Sequence, residues 1–366
     1  MKRFPPHDPP EYLEWAADPK IMSVYRDQIR ARPETRAAYE QLGREGLGRL
    51  YRGMVRSRLY DIALKRWVRT GVLTKAWLGI GEEAATIGAV HALEATDVIG
   101  PMIRNQAACF EKGIPLADCF KVYLATGDTI TRGRDLHIGD LRCGVVSPIS
   151  HVGDLVPVLA GFALAFKNRG EARVALTWCG EGATRTGAAH EGLGLAAALR
   201  LPLILIVQDN QVALGTRRDE RFEAALRALA ASHGVRGMEC DGNHVLDVYQ
   251  SVRAARAHCL AGNGPVVLYT RTFRMGGHAT HDEAEARRLF DRAEFRYWGA
   301  RDPIACFEEF LRGESTLGAN PSAVLTEWED AVFAEVEAAA AAALRAKTTA
   351  PPEPHLLAGG AVSIVG

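Results

Sequence analysis

The chain has 366 residues, and its 44 basic and 44 acidic side chains give a formal net charge of zero. General polyanion binding is therefore disfavoured, because no basic excess is available to neutralise phosphates. Hydrophobic residues make up 48% and charged residues 24%, as in ordinary soluble globular proteins. No apolar run approaches the roughly 20 residues that a membrane helix needs, and the N-terminus carries no apolar stretch of signal-peptide length.

The seven cysteines are widely scattered and odd in number, which fits neither a disulfide framework nor a zinc site. They are Cys109, Cys119, Cys143, Cys179, Cys240, Cys259 and Cys306. Together with the composition, this cysteine usage predicts a cytoplasmic protein.

The N-terminal part predicts an arm followed by helices. Residues 1–40 are rich in proline, charge and aromatics, so we expect an irregular arm that lies on another surface, with a boundary after residue 43. Apolar residues recur at helical spacing over 44–69, which predicts a long amphipathic helix. A second helix is expected over 81–93, where small residues permit close packing.

Strands and helices alternate in the middle of the chain, which predicts an α/β fold with a parallel sheet covered by helices on both faces. The expected elements are a helix at 155–168, a strand at 173–178, a tight turn at 179–182, a helix at 183–199, a strand at 203–207, a helix at 245–259 and a strand at 265–271. We expect one α/β domain over 44–312 and a C-terminal helix and tail over 313–366, the helix at 322–347.

Two polar sequences follow neighbouring predicted strands. Gly180-Glu181-Gly182 ends the first strand and Asp209-Asn210 the second, and Glu181 and Asn210 are 29 residues apart, which is one strand–helix–strand step. Parallel strands bring both side chains to the same edge of the sheet, where a following helix N-terminus favours anions. A carboxylate, an amide oxygen and a backbone carbonyl suit a magnesium ion that also holds phosphate. The pattern therefore predicts a magnesium–diphosphate site.

Two other interpretations of this segment remain open on the residues alone. It could be a plain strand–helix–strand unit with a glycine turn, since such turns recur in nucleotide-binding folds. It could also be a dinucleotide site, but the third glycine of that fingerprint is missing and the second strand lacks a clean terminal acid for ribose hydroxyls.

Residues 173–216 resemble the GDG…NN signature of thiamine-diphosphate-binding proteins. The longer stretch 44–312 resembles the α subunit of the decarboxylating component of 2-oxo acid dehydrogenase complexes. These complexes act on pyruvate, on branched-chain 2-oxo acids or on acetoin. Five further segments occur in that family's order: 81–84 (GEEA), 97–104 (DVIGPMIR), 133–137 (GRDLH), 147–149 (SPI) and 272–278 (TFRMGGH). The resemblance implies the thiamine-diphosphate-binding fold, with thiamine diphosphate and Mg²⁺ as cofactors.

The resemblance also implies roles for individual residues. Glu181, Asn210 and the Val212 carbonyl would bind Mg²⁺. Arg104 and His278 would contact the diphosphate, together with the backbone of the turn at Gly180, Gly182 and Ala183. Ile149 would support the bent cofactor and Ser147 would lie beside its aminopyrimidine. His137 and His278 would be the catalytic residues near the reacting centre. On the residues alone, Arg104 could instead form a surface ion pair, although a diphosphate site, which needs fixed cations, is favoured. His137 could be a solvated loop residue, and Ile149 could belong to the core.

The family's reaction is oxidative decarboxylation of a small-molecule 2-oxo acid, with acyl transfer to the lipoyl group of an acyltransferase. The resemblance implies a β subunit that supplies the activating glutamate, in an α2β2 heterotetramer, and implies neither nucleic acid nor membrane as a partner. Two alternatives stay open: another two-subunit thiamine-diphosphate enzyme, transketolase-like or acetoin-cleaving, or a non-catalytic assembly protein. The departures at Ile103, Asp209 and Val212 motivate the second alternative.

One further departure and one alternative interpretation concern the loop after residue 276. His281 occupies the place of a serine that is phosphorylated in some relatives of that family, so this control is not expected here. The spacing of His278, His281 and Asp282 could suggest a metal site, but no supporting pattern of outer-shell residues accompanies it.

Overall fold

The computed structural model describes residues 16–217 and 219–352. The helices in these ranges are α1 (Pro19–Ala31), α2 (Pro33–Arg69), α3 (Glu83–His91), α4 (Gln106–Glu111), α5 (Leu116–Lys121), α6 (Leu155–Arg169), α7 (Gly187–Ala198), α8 (Glu220–Ser232), α9 (Val245–Leu260), α10 (Glu283–Leu289), α11 (Arg292–Gly299), α12 (Pro303–Gly313) and α13 (Pro321–Thr349). The strands are β1 (Val98–Gly100), β2 (Ala175–Gly180), β3 (Leu203–Asp209), β4 (Val212–Ala213), β5 (Thr216–Arg217), β6 (Arg236–Asp241) and β7 (Val266–Arg271).

Five strands form one parallel sheet in the order β1-β2-β3-β7-β6, as the alternation of strands and helices predicts. Successive side chains of a strand point to opposite faces, and both faces are buried. Leu176 and Ile204 belong to the core formed with α2, α3 and α9, whereas Ala175 and Leu205 belong to the core under α6 and α7. The predicted α/β fold with helices on both faces is confirmed.

The predicted irregular arm is wrong for the part of it that the structure describes. Asp18 accepts hydrogen bonds from the first turn of α1, and this helix buries Met22, Tyr25 and Ile29 against the body of the chain. The boundary after residue 43 coincides with a break in α2, since Gly43 has φ of 55°, in the left-handed region. Residues 1–15 and 353–366 lie outside the described ranges, and the division into domains stays a prediction.

The turn after β2 differs in detail from the predicted one. β2 continues through Gly180, a 3₁₀ turn covers Glu181–Arg185, and α7 begins only at Gly187. Thr186 sets this start, because its hydroxyl accepts a hydrogen bond from the backbone N–H of Ala189. The predicted helix therefore begins four residues too early, and the backbone of Gly182 and Ala183 lies in the 3₁₀ turn rather than at the N-terminus of a long helix.

The longer predicted elements are confirmed, including the C-terminal helix α13, whereas the short ones are not anticipated. β1 has only three residues, and β6 lies at the edge of the sheet with most of its residues partly or fully exposed. Neither strand therefore shows the continuous apolar run of a buried parallel strand. Within the described residues, none of the helices combines the length and apolar character needed to cross a membrane.

Candidate active site

A cavity of about 530 Å³ opens at the carboxyl ends of β2 and β3. Ligands bind at this edge in open parallel sheets. Ten of the eleven predicted site residues line this cavity, and only Ser147 does not. The ten are Arg104, His137, Ile149, Gly180, Glu181, Gly182, Ala183, Asn210, Val212 and His278.

Glu181 is a buried carboxylate directly after β2, with only 1% of its surface exposed. Its Oε2 accepts a long hydrogen bond of 3.4 Å from the backbone N–H of Asn210, whereas its Oε1 is buried with no hydrogen-bond partner. Burial is the main cause that raises the pKa of Glu181 to about 7, and the nearby negative charge of Asp209 adds to it. A buried carboxylate oxygen with no donor is a position that a cation would satisfy.

Asn210 lies opposite Glu181 because β2 and β3 pair in parallel with Gly180 beside Gln208. The Asn210 side chain is buried and held at both ends: its Nδ2 donates to Glu82 at 3.0 Å, and its Oδ1 accepts from the backbone N–H of Val212 at 3.3 Å. Gln211, between these two residues, has a φ of 74°, a left-handed conformation that is uncommon for a residue other than glycine. This bend brings Asn210 and Val212 to the same wall of the cavity.

Arg104 forms an ion pair with a buried acid rather than with a surface one. Its Nε donates to Glu82 Oε2 at 3.1 Å, and both side chains are almost fully buried. Burial lowers the pKa of Arg104, but the Glu82 carboxylate, helped by Glu181 and Cys179, raises it more, so that it ends above its usual value. The cavity thus contains a fixed cation, as binding of a diphosphate requires.

Arg274 is a second cation at the cavity, and the sequence analysis does not single it out. Its Nη2 donates to the carbonyl of Leu214 at 2.9 Å, which ties it to the loop after Asn210. Burial and the positive charge of Arg104 lower its pKa to about 10, so it remains charged at neutral pH. The sequence could have indicated Arg274 as a site residue, since it lies in the segment 272–278, four residues before the predicted site histidine His278.

His278 lies at the same cavity, but its imidazole is neutral. Burial and the positive charges of Arg104 and Arg274 lower its pKa to about 4. At neutral pH it can therefore donate or accept a hydrogen bond, but it adds no positive charge for a diphosphate.

His137 is positioned by two loops at the mouth of the cavity. Its Nδ1 lies 2.7 Å from Asp135 Oδ1, and its Nε2 lies 3.4 Å from Ser150 Oγ. Ser147 stays outside the cavity lining and donates its hydroxyl hydrogen to the carbonyl of His137 at 2.8 Å. Ile149 lines the cavity with 39% of its surface exposed, so it is not an ordinary core residue.

The three residues that depart from the family pattern line two different cavities. Ile103 and Val212 line the cavity. Asp209 instead lines a neighbouring, more polar cavity of about 340 Å³, together with Arg271 and Tyr297. Its charge nevertheless acts on Glu181, whose pKa it helps to raise.

The donor set at the cavity fits a hard divalent cation. The described residues contain no group of three or more histidine, cysteine, aspartate or glutamate side chains that could hold a metal ion. His278, His281 and Asp282 are among the described residues and do not form such a group. A site here would combine the Glu181 carboxylate with the Asn210 amide oxygen, a backbone carbonyl and phosphate oxygens, which is the kind of oxygen set that Mg²⁺ takes.

Comparison with known proteins agrees with this arrangement. Residues 51–352 match the family model described as the dehydrogenase E1 component. The chain is 33% identical over 276 residues to the pyruvate dehydrogenase E1 component subunit alpha of Staphylococcus aureus strains MW2 and COL, and of Staphylococcus epidermidis. Each alignment covers 74% of this chain and 71% of the relative. The chain belongs to the dehydrogenase E1 component family, as an α subunit of a 2-oxo acid dehydrogenase.

Proposed function

We propose that this chain is the part of a two-subunit, thiamine-diphosphate-dependent 2-oxo acid dehydrogenase that holds the magnesium ion and the diphosphate of the cofactor. The observation that carries the proposal is the pair Glu181 and Asn210, buried side by side at two neighbouring strand ends, with Glu181 Oε1 unpartnered at a cavity.

Different residues of the cavity would bind the metal ion and the diphosphate. Glu181, Asn210 and the Val212 carbonyl would hold Mg²⁺, and Arg104 and Arg274 would supply the fixed positive charge for the diphosphate. The backbone of Gly180, Gly182 and Ala183 and the neutral imidazole of His278 would add hydrogen bonds. When bound, thiamine diphosphate supplies the carbanion-stabilising chemistry of decarboxylation. Ile149 would support the cofactor in a bent shape, and Ser147 would act through the loop of His137.

His137 would act at the substrate side of the cavity. When His137 Nδ1 donates a hydrogen bond to Asp135, the Nε2 of the same ring faces Ser150 and the cavity. The imidazole could then exchange a proton with a 2-oxo acid or with an incoming acyl acceptor through Nε2, and His278, which lines the same cavity, would do the same.

A β subunit is part of the proposal, in an α2β2 heterotetramer that works with a lipoyl-bearing acyltransferase in the cytoplasm. The matched relatives carry the name subunit alpha, which supports a second kind of subunit. The substrate would be pyruvate or a branched-chain 2-oxo acid, and acetoin is the alternative that needs a separate assay.

The test is reconstitution with the β subunit of the same complex. Carbon dioxide release is measured with pyruvate and with a branched-chain 2-oxo acid, in the presence and absence of a lipoyl-bearing acceptor. Acetoin has no carboxyl group to lose, so its cleavage is measured separately as acetaldehyde release. We expect a 2-oxo acid to be turned over only when both subunits are present, with acyl transfer to the acceptor. Glu181→Gln should lower turnover by about 100-fold or more, since even the loss of an outer-shell partner of a metal costs about 10–100-fold.

Glu191→Gln is the matched control, because Glu191 is an exposed acid on α7, next to the site in sequence but outside the cavity lining. It should keep the activity of the unchanged chain. Full turnover by the chain without a β subunit would refute the two-subunit proposal. Absence of both turnover and thiamine diphosphate binding in the reconstituted complex would favour the non-catalytic alternative, which the changes at Ile103, Asp209 and Val212 motivate.

A further inference from the structure

We propose that Glu82 is a positioning residue that sets the orientation of the Asn210 amide toward the metal ion and holds Arg104 beside it. This inference rests on the proposed function, because it concerns the same magnesium and diphosphate site. It adds a residue to which the sequence analysis assigns no role.

Glu82 directly precedes α3 and is 1% exposed. Its Oε1 accepts hydrogen bonds from Asn210 Nδ2 at 3.0 Å and from Gln208 Nε2 at 3.2 Å. Its Oε2 accepts from Arg104 Nε at 3.1 Å, and Oε1 also accepts a longer hydrogen bond of 3.5 Å from Arg104 Nη2. One carboxylate thus joins the side chain expected to bind the metal and the side chain expected to bind the diphosphate.

The contacts of Gln208 fix the direction of its hydrogen bond to Glu82. Gln208 Oε1 accepts from Asn105 Nδ2 at 2.9 Å, so the Nε2 end of Gln208 is the end that faces Glu82. Asn105 Nδ2 also lies 2.6 Å from the hydroxyl of Thr86 on α3. The network therefore presents donors to Glu82 from two sides, and an ionised carboxylate, which only accepts hydrogen bonds, matches them.

The hydrogen bond to Glu82 also fixes the orientation of the Asn210 side chain. An amide offers a carbonyl oxygen at one end and an N–H₂ group at the other, and only the oxygen can bind a cation. Because Glu82 holds the N–H₂ end, the Oδ1 end is directed to the backbone N–H of Val212 and the wall of the cavity. Without an acceptor at position 82, the two orientations of the amide would no longer be distinguished by a buried charge.

The two carboxylate oxygens of Glu82 therefore have different main tasks. Oε1 orients Asn210, and Oε2 accepts the shorter of the two hydrogen bonds from Arg104. In Glu82→Gln, the amide oxygen can take the place of Oε1, while the N–H₂ end replaces Oε2 and no longer attracts Arg104. In Glu82→Ala, both acceptors are lost.

The experiment measures magnesium affinity by calorimetry in the presence of thiamine diphosphate, with the chain assembled with its β subunit, and follows folding by thermal unfolding. We expect Glu82→Ala to weaken magnesium binding by about 10–100-fold, as loss of an outer-shell partner does. Glu82→Gln should stay within about threefold of the unchanged chain, since an acceptor for Asn210 remains. Glu94→Ala, an exposed acid just beyond α3, is the control that should leave the affinity unchanged.

A weakening by Glu82→Gln as large as that by Glu82→Ala would overturn the inference, and so would normal magnesium binding by Glu82→Ala. Should Glu82→Ala fail to fold, Glu82→Gln alone decides, because loss of magnesium affinity in this folded variant contradicts the assigned role of the remaining oxygen. If the unchanged complex binds neither magnesium nor thiamine diphosphate, the proposed function itself fails, a result distinct from the first two.

Discussion

His278 is a partly buried histidine next to two arginines, and these surroundings decide its charge. Its pKa falls from 6.5 to about 4 because burial and the charges of Arg104 and Arg274 disfavour the imidazolium. Between pH 4 and 6.5 the unfolded chain therefore binds more protons at this position than the folded chain does. The contribution of His278 to stability rises with pH across this window and is lost as the pH falls through it.

Substitution of His278 tests this charge state. We expect His278→Asn to be more stable relative to the unchanged chain at pH 5 than at pH 7, because the variant has no imidazole to protonate on unfolding. Chemical denaturation at the two pH values gives the comparison. Imidazole nitrogen resonances that disappear in His278→Asn should report a neutral ring at pH 5.5, and a charged ring at that pH would contradict the account.

A site residue can be predicted from the sequence when the order of the strands along the chain determines where that residue lies. Glu181 and Asn210 follow strands that pair in the sheet, so their meeting follows from the parallel arrangement alone. Arg274 and Glu82 are different, because their roles depend on which loop folds over which strand end. Ser147 shows the opposite case: its motif is present, but its hydroxyl is used to bond the carbonyl of His137.

Among the elements, the 3₁₀ turn after β2 is packed closely against the short strand β4. A Cβ atom added to Gly182 would lie 2.5 Å from the Cβ of Ala213, so one of the two elements would have to move. Because Val212 belongs to β4 and bonds Asn210, the shift would reach the proposed metal site.

We therefore expect Gly182→Ala to destabilise the chain by about 1–3 kcal/mol, the cost of overpacking a well-packed region, and to weaken magnesium binding. Gly187→Ala is the matched control at the start of α7, where an added Cβ meets nothing within 4 Å. It should be neutral or stabilise by about 0.5–1 kcal/mol, since alanine favours helix over glycine. Urea unfolding measures both variants, and an equal effect of the two would contradict the steric argument.

Elements with a strong periodic pattern are predictable, and elements fixed by their neighbours are not. The long helices and the buried strands β2, β3 and β7 show apolar patterns of their own. α1 is missed because its sequence is rich in polar and charged residues, and its burial depends on contacts with α2, α9 and α12. The exact start of α7 depends on one hydroxyl, that of Thr186, which a pattern of apolar residues does not contain.

At the scale of the whole molecule, a buried arginine joins three helices below the site. Arg58 of α2 is fully buried and forms ion pairs with Glu83 at the start of α3 and with Asp302, which caps α12. These contacts connect α2 with the residue that directly follows Glu82, and they fix α3 relative to α12.

Removal of the Arg58 charge should destabilise the fold, because it leaves buried carboxylates without their partner. We expect Arg58→Met to lower the free energy of unfolding by about 3–5 kcal/mol. Arg36→Met is the control, since the pair of Arg36 with Glu40 is exposed and such pairs contribute only about 0–1 kcal/mol. Denaturant unfolding of both variants provides the measurement, and a loss below about 1 kcal/mol for Arg58→Met would show that the pair does not stabilise the fold.

The most direct test of the account is the position of the metal ion. Crystals of the chain assembled with its β subunit are grown with thiamine diphosphate and Mn²⁺ in place of Mg²⁺, and anomalous diffraction locates the manganese. The account predicts a single peak at the cavity, about 2.0–2.3 Å from Glu181 Oε1 and from Asn210 Oδ1, with the remaining ligands also oxygen atoms. A manganese ion bound elsewhere, or a diphosphate bound in the cavity without contact between the metal and these two side chains, would contradict it.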